Sequence, residues 1–125
     1  MQTANLSVVE VKAFVPAKDS ERSMAFYQAL GFTRASADDG IAYFHHGNAS
    51  FLLQDFYVRE HADNFLMHLL VKDVEAWHVM AKAVAQQFEV RIGEPEDQPW
   101  AMRDFVLFDP SGVLWRIGQN LPVAA

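Results

Sequence analysis

Five polar side chains fall on strand faces where a dry core would not accept them: Glu10, Lys12, Gln54, His68 and Arg116. Strand side chains alternate with a period of two. In the first strand Val9, Val11, Ala13 and Val15 take one face, and Val8, Glu10, Lys12 and Phe14 the other. Further along, Phe65, Met67, Leu69 and Val71 alternate with Leu66, His68 and Leu70. The aliphatic stripes are expected to pack under helices, which leaves the polar set facing water. A carboxylate, an ammonium, an amide, an imidazole and a guanidinium drawn from several strands are suited to recognising a small molecule by charge and hydrogen bonds. Arg116 and Glu10 are also placed to pair with each other across neighbouring strands.

Trp100 adds a different chemistry. It follows Pro99 in the acidic loop EPEDQPW, where no strand or helix pattern requires an indole, so it is expected to offer a flat surface to a ligand. Trp77 and Trp115 fall on the helix–sheet side of their elements and are assigned to the core. His45 and His46 are adjacent on a strand and face opposite ways, while His61 and His78 are read as solvent-facing positions on a loop and a helix. With no cysteine in the chain, disulfides, thiolate metal sites and cysteine nucleophiles are all excluded.

These residues are carried by a pattern that occurs twice. AFVPAKDSERSMAFYQALGF, residues 13–32, and HLLVKDVEAWHVMAKAVAQQF, residues 68–88, share an apolar strand, a Lys-Asp step and a run with helical period. Glycine-punctuated short strands follow each copy. The chain therefore reads as one α+β domain over residues 1–125, built of two tandem βαβββ modules at 5–58 and 62–120.

The first helix can be capped by Asp19 or Ser20, buries Phe26, Tyr27 and Leu30, and ends at Gly31 in a left-handed cap. IAYFHH and ASFLLQDFY are strands three and four. In the second module Asp73 caps a helix whose stripe is Val74, Trp77, Ala81, Val84 and Phe88. A sixth strand should precede EPEDQPW. MRDFVLFD and VLWRIG then form a hairpin through Asp109-Pro110-Ser111-Gly112. The tail LPVAA is expected to fray.

At 125 residues and 51% hydrophobic, the chain can bury a core without metal or disulfide support. The formal charge of −6 argues against a phosphate-backbone partner and is permissive of a cationic ligand. No basic leader or long apolar run occurs, so a soluble, cytoplasmic protein with no membrane or nucleic-acid partner is expected.

The strings VPAKDSERSMAFYQALGF, ADNFLMHLLVKDVEAW and PEDQPWAMRDFVLFDPSGVLWRIGQ resemble the vicinal oxygen chelate superfamily, which holds glyoxalase I, extradiol dioxygenases and the bleomycin and fosfomycin resistance proteins. Asp63-Asn64, Gln98-Pro99-Trp100, Arg103-x-Phe105 and Asp109-Pro110-x-Gly112 are most similar to the bleomycin-resistance branch. The resemblance implies a curved eight-stranded half-barrel pair with helices outside, a homodimer and ligand grooves. In the enzymes of the superfamily a divalent metal is held by side chains on the first, fourth, fifth and eighth strands, and the corresponding positions here are Lys12, Gln54, Leu66 and Arg116. Two cationic groups and an alkyl chain do not make a metal site. A two-residue shift gives the alternative set Glu10, Gln54 and His68, suited to a hard or borderline metal. The chain also departs from the branch: Ala35-Ser36-Ala37-Asp38-Asp39-Gly40 stands where the drug binders carry stacking aromatics.

The sequence thus favours a non-catalytic small-molecule binder, with no catalytic residue and no cofactor, that sequesters its ligand in a dimer groove. Ligand contacts are expected from Lys12, Gln54, His68, Trp100, Arg103 and Arg116. The alternatives are a metal-dependent glyoxalase- or dioxygenase-type enzyme and a regulatory domain acting through its dimer surface.

Overall fold

The computed structural model of the chain describes residues 4–122. The two copies fold into sheets of the same topology. In the first module β1 (Phe14–Pro16), α1 (Ser20–Ala29), β2 (Thr33–Asp38), β3 (Ile41–His46) and β4 (Ala49–Gln54) give a sheet of order β1-β4-β3-β2. After a short connecting helix α2 (Arg59–Asp63), the second module repeats the pattern. Its elements β5 (Leu66–Leu70), α3 (Val74–Phe88), β6 (Glu96–Gln98), β7 (Met102–Phe108) and β8 (Leu114–Asn120) give the order β5-β8-β7-β6. In both sheets the first strand runs parallel to the last, and every other pairing is antiparallel. The sheets do not close, and the architecture is the α+β tandem expected.

Local sequence explains both long helices. Asp19 and Asp73 have extended backbones and accept the amide hydrogens of Arg22 and Ala76, filling the otherwise unsatisfied first turns. Gly31, at φ +101°, turns the chain out of α1, as the left-handed cap requires. The corresponding turn after α3 is made by Glu89 at φ +56°, where a β-carbon is poorly tolerated.

The core lies between the sheets and their helices and is rich in aromatic rings. Tyr27, Phe32, Phe51 and Trp115 contact one another with centroids 4.8 to 6.3 Å apart, joining α1 and the first sheet to β8 of the second. Inside this cluster the Tyr27 hydroxyl donates to Asp109 Oδ2 at 2.5 Å and accepts from Trp115 Nε1 at 2.9 Å. The other oxygen of Asp109 accepts the amides of Ser111 and Val113, which shapes the β7–β8 turn.

Several expectations need correction. The first strand is only Phe14–Pro16; residues 4–13 run as an arm without regular structure, and Val9 and Val11 face solvent instead of packing under a helix. With a free arm the alternation of residues has no sheet to select its faces. The segment before EPEDQPW makes only an isolated bridge, Ile92 to Leu107, and the sixth strand lies inside the loop at Glu96–Gln98, where it pairs with β7. His78 is buried: its Nε2 lies 3.0 Å from the Gly93 carbonyl and its ring packs edge-on against Phe105. Trp77 is partly buried, at the rim of the core. Within the tail, the Leu121 amide bonds to the Ala101 carbonyl at 2.9 Å, and the last three residues lie outside those described.

Candidate functional site

Each sheet turns one face toward its helix and leaves the other free, and strand register shows what the free faces carry. On the first sheet Tyr43 aligns with Leu52, His45 with Ser50 and Ile41 with Gln54. The arm adds Glu10 and Lys12. Lys12 Nζ donates to Glu10 Oε1 at 2.6 Å and lies 5.3 Å from the Tyr43 ring centroid. Ser50 Oγ donates to Glu10 Oε2 at 2.7 Å, and the Tyr43 hydroxyl reaches Oε1 at 3.3 Å. These donors, Lys12 first, hold the Glu10 carboxyl below its ordinary value. The arm is thus pinned at Glu10 although its aliphatic side chains are not buried.

On the second sheet Leu66, His68 and Leu70 align with Leu114, Arg116 and Gly118 of β8, and Arg116 aligns in turn with Val106 of β7. Asp104 shares this face with Arg116 and is only 3% exposed. Its carboxylate accepts from Arg116 Nη1 at 3.2 and 3.3 Å and from Gln98 Nε2 at 3.0 Å. Arg116 therefore pairs with Asp104, not with Glu10 as expected, because β7 is its hydrogen-bonded neighbour and the arm is not. Met102 reaches across β8 to His68, with its sulfur 3.2 Å from Nε2. Gly118 makes that crossing possible: a β-carbon there would lie 2.7 Å from the Met102 sulfur and 3.1 Å from the Asp104 β-carbon.

The six residues singled out in the sequence are distributed among these features. Lys12 is spent on Glu10, and Gln54 lies on the first free face, its backbone carbonyl accepting the Ala17 amide at 2.9 Å. His68 and Arg116 stand side by side on the second face. Arg103 has the opposite strand parity and lies on the helix side, where it binds Glu75 of α3 at 2.5 Å and Asp97 at 3.0 Å. Trp100 occupies the β6–β7 turn and is 58% exposed. Among the described residues no hydrogen bond or ion pair joins Lys12 or Gln54 to His68 or Arg116.

A cavity of about 440 Å³ at the seam between the sheets is lined by Glu10, Ser50, Phe51, His68 and Trp115, among others. Glu10 and His68 thus share one space, whereas Gln54 does not line it, so the alternative metal set is not assembled in the chain. No group of three or more His, Cys, Asp or Glu side chains suited to a metal gathers among the described residues. The positions aligned with the enzymes' ligands offer an ammonium, an amide, an alkyl chain and a guanidinium. That donor set does not fit a divalent ion.

The residues that sequence reading missed are Asp104, Met102, Ser50 and Tyr43. Asp104 and Met102 were accessible in principle, since both share parity with Arg116 once the β7–β8 hairpin is in register. Ser50 and Tyr43 depend on how the arm lies over the sheet, which no local pattern fixes.

Comparison with known proteins bears on these faces. A sequence model of the Glyoxalase/Bleomycin resistance protein/Dioxygenase superfamily matches residues 8–117. A bleomycin resistance protein of Klebsiella pneumoniae is 30% identical over 114 residues, covering 85% of this chain and 88% of that protein. A crystal structure of a bleomycin-binding protein complexed with bleomycin superposes with a TM-score of 0.78 at 27% identity, covering 90% of this chain and 99% of the other. A bleomycin resistance determinant encoded on the transposon Tn5 gives 0.79 at 26% identity, covering 90% and 98%.

Proposed function

The chain belongs to the glyoxalase/bleomycin resistance protein/dioxygenase superfamily, and we propose that it is a non-catalytic member that binds and withholds a bleomycin-type small molecule in a groove completed by a second copy. The observation that carries this reading is the state of the polar groups on the two free faces. Lys12 and Arg116 hold carboxylates where an enzyme of this family would need electron-pair donors. What remains is a set of hydrogen-bonding and aromatic groups, with Trp100 exposed beside an acidic loop.

The second copy is supported by the arm and by β5. Leu6, Val8, Val9 and Val11 are 84 to 95% exposed, and Leu66 and Leu70 on the free edge strand β5 are more than half exposed. Burying an aliphatic side chain is worth about 1.5–3 kcal/mol, so the four arm residues alone offer roughly 6–12 kcal/mol to a surface that covers them. The net charge of −6 favours cationic substituents on the ligand. Among the described residues no helix is long and apolar enough to cross a membrane. Withholding a drug from its intracellular target would place the protein in the cytoplasm.

Calorimetric titration with metal-free bleomycin, combined with sedimentation, tests the reading. A saturable heat and a dimer are expected; no heat at high micromolar concentration removes bleomycin as the ligand. One observation favours a second reading, a metal-dependent lyase or dioxygenase: Glu10 and His68 line the same cavity. Metal analysis of protein purified without chelator separates the two, since a stoichiometric transition metal that disappears in His68→Ala would overturn the metal-free reading in favour of the second.

A further inference from the structure

Resting on the ligand-binding reading above, we propose that Asp104 is a positioning residue that fixes the Arg116 guanidinium beside His68, and that the group received there is a neutral carbonyl of the ligand, such as a carboxamide or carbamoyl, rather than a free anion. Asp104 is nearly inaccessible, yet it sits on the free face of the second sheet and not in the aromatic core. A buried carboxylate is costly unless it is paired and hydrogen-bonded. Here Gln98 from β6 and Arg116 from β8 grip it from both sides, so three strands converge on one charge.

Arg116 bears the consequence. A guanidinium has five N–H donors in a rigid plane, and only Nη1 is used by Asp104. Its Nε and Nη2 have no acceptor among the described residues, and the side chain is about one-third exposed. The registered neighbour on β5 is His68, whose Nε2 is oriented by Met102 through the notch at Gly118. Two held side chains therefore meet a ligand at adjacent positions on one face: Arg116 offers its unused Nε–H and Nη2–H, and His68, whose Nε2–H is taken by the Met102 sulfur, offers the Nδ1 lone pair of the neutral ring, a donor–acceptor pair that matches the C=O and N–H of an amide.

Charge selects what they receive. Asp104 already matches the guanidinium, so an incoming carboxylate or phosphate would place a second negative charge beside a nearly buried one. A carbonyl oxygen accepts the same hydrogen bonds without that repulsion.

The test uses nitrogen-15 NMR of the Arg116 Nη groups, with bleomycin titrations of Asp104→Asn, Arg116→Ala and the double variant. In the wild type the Nη1 and Nη2 groups of Arg116 are expected as separate resonances, because Asp104 holds Nη1 and stops rotation about Cζ–Nη, and in Asp104→Asn as one averaged signal. Asp104→Asn and Arg116→Ala should each weaken bleomycin binding on the order of tenfold, and the double variant should bind no worse than Arg116→Ala. Acetamide should shift the Arg116 and His68 resonances, and acetate at equal concentration should not.

Averaged Nη1 and Nη2 signals of Arg116 in the wild type, or strictly additive losses in the double variant, would overturn the positioning role even if bleomycin binds. Shifts with acetate and none with acetamide would overturn the choice of a neutral group. Absence of bleomycin binding by the wild type would sink the bleomycin reading, while the resonance of Arg116 still decides whether Asp104 holds it.

Discussion

Replacing Tyr27 by Phe removes one oxygen atom and leaves two buried polar atoms without partners. The ring is inaccessible and contacts Phe26, Phe32, Phe51 and Trp115, all of which a phenyl ring can still touch, so little packing is lost. What disappears is the hydroxyl that donates to Asp109 Oδ2 and accepts from Trp115 Nε1. Leaving a buried group unsatisfied costs about 1–3 kcal/mol, with charged acceptors at the upper end. The carboxylate and the indole together give roughly 3–5 kcal/mol, a large share of the 5–15 kcal/mol typical of a folded domain. Urea unfolding followed by tryptophan fluorescence measures the loss.

The pH dependence supplies a second check on the same residue. Burial raises the Asp109 carboxyl above its ordinary value of 3.8, and the Tyr27 hydrogen bond is the largest influence opposing that rise. An acid whose folded-state affinity for its proton is raised contributes most at pH below its ordinary value, and the contribution is lost as pH climbs through the raised one. Tyr27→Phe pushes that affinity higher still, so its destabilisation should be larger at pH 7 than at pH 4. A loss below about 1 kcal/mol, or one of equal size at both pH values, would refute the assignment of this hydroxyl.

Three further outcomes are expected. Gly118→Ala should destabilise by about 1–3 kcal/mol and abolish the nuclear Overhauser contacts between His68 and Met102, because the sulfur can swing aside but the Asp104 β-carbon cannot. Glu89→Gly should raise stability by about 0.5–1 kcal/mol in the same unfolding assay, since φ +56° penalises a side chain by about 1–2 kcal/mol. The Glu10 carboxyl, held down by Lys12 and Ser50, contributes above its ordinary value of 4.5 and loses that contribution as pH falls through the lowered one. Carboxyl carbon-13 titration should find it below that value in the wild type and nearer to it in Ser50→Ala.

The fold was legible because its signals are local and occur twice. Asp19 and Asp73, the stripes of α1 and α3, and the Asp109–Gly112 turn all act within a few residues, and each matches the structure apart from Trp77 at the rim of the α3 stripe. The arm was misread because alternation in Val8–Val15 specifies a strand only where a neighbouring edge exists to accept it. The sixth strand was misplaced because Glu96–Gln98 looks like a loop by composition and is strand by pairing alone. At the candidate site, parity put His68 and Arg116 on one face. It missed the partner of Arg116 because β7 register decides that contact, and it was not applied to Arg103, which entered through the resemblance and turns toward Glu75.

The short helix Arg59–Asp63, exposed along most of its length, is the covalent tie between repeats that are also stitched together by the Tyr27, Asp109 and Trp115 contacts. Severing the backbone there should yield a complementation pair: halves that are insoluble or unstructured apart, but that reassemble on mixing. The two repeats would then act as mutual templates, each completing the interior of the other.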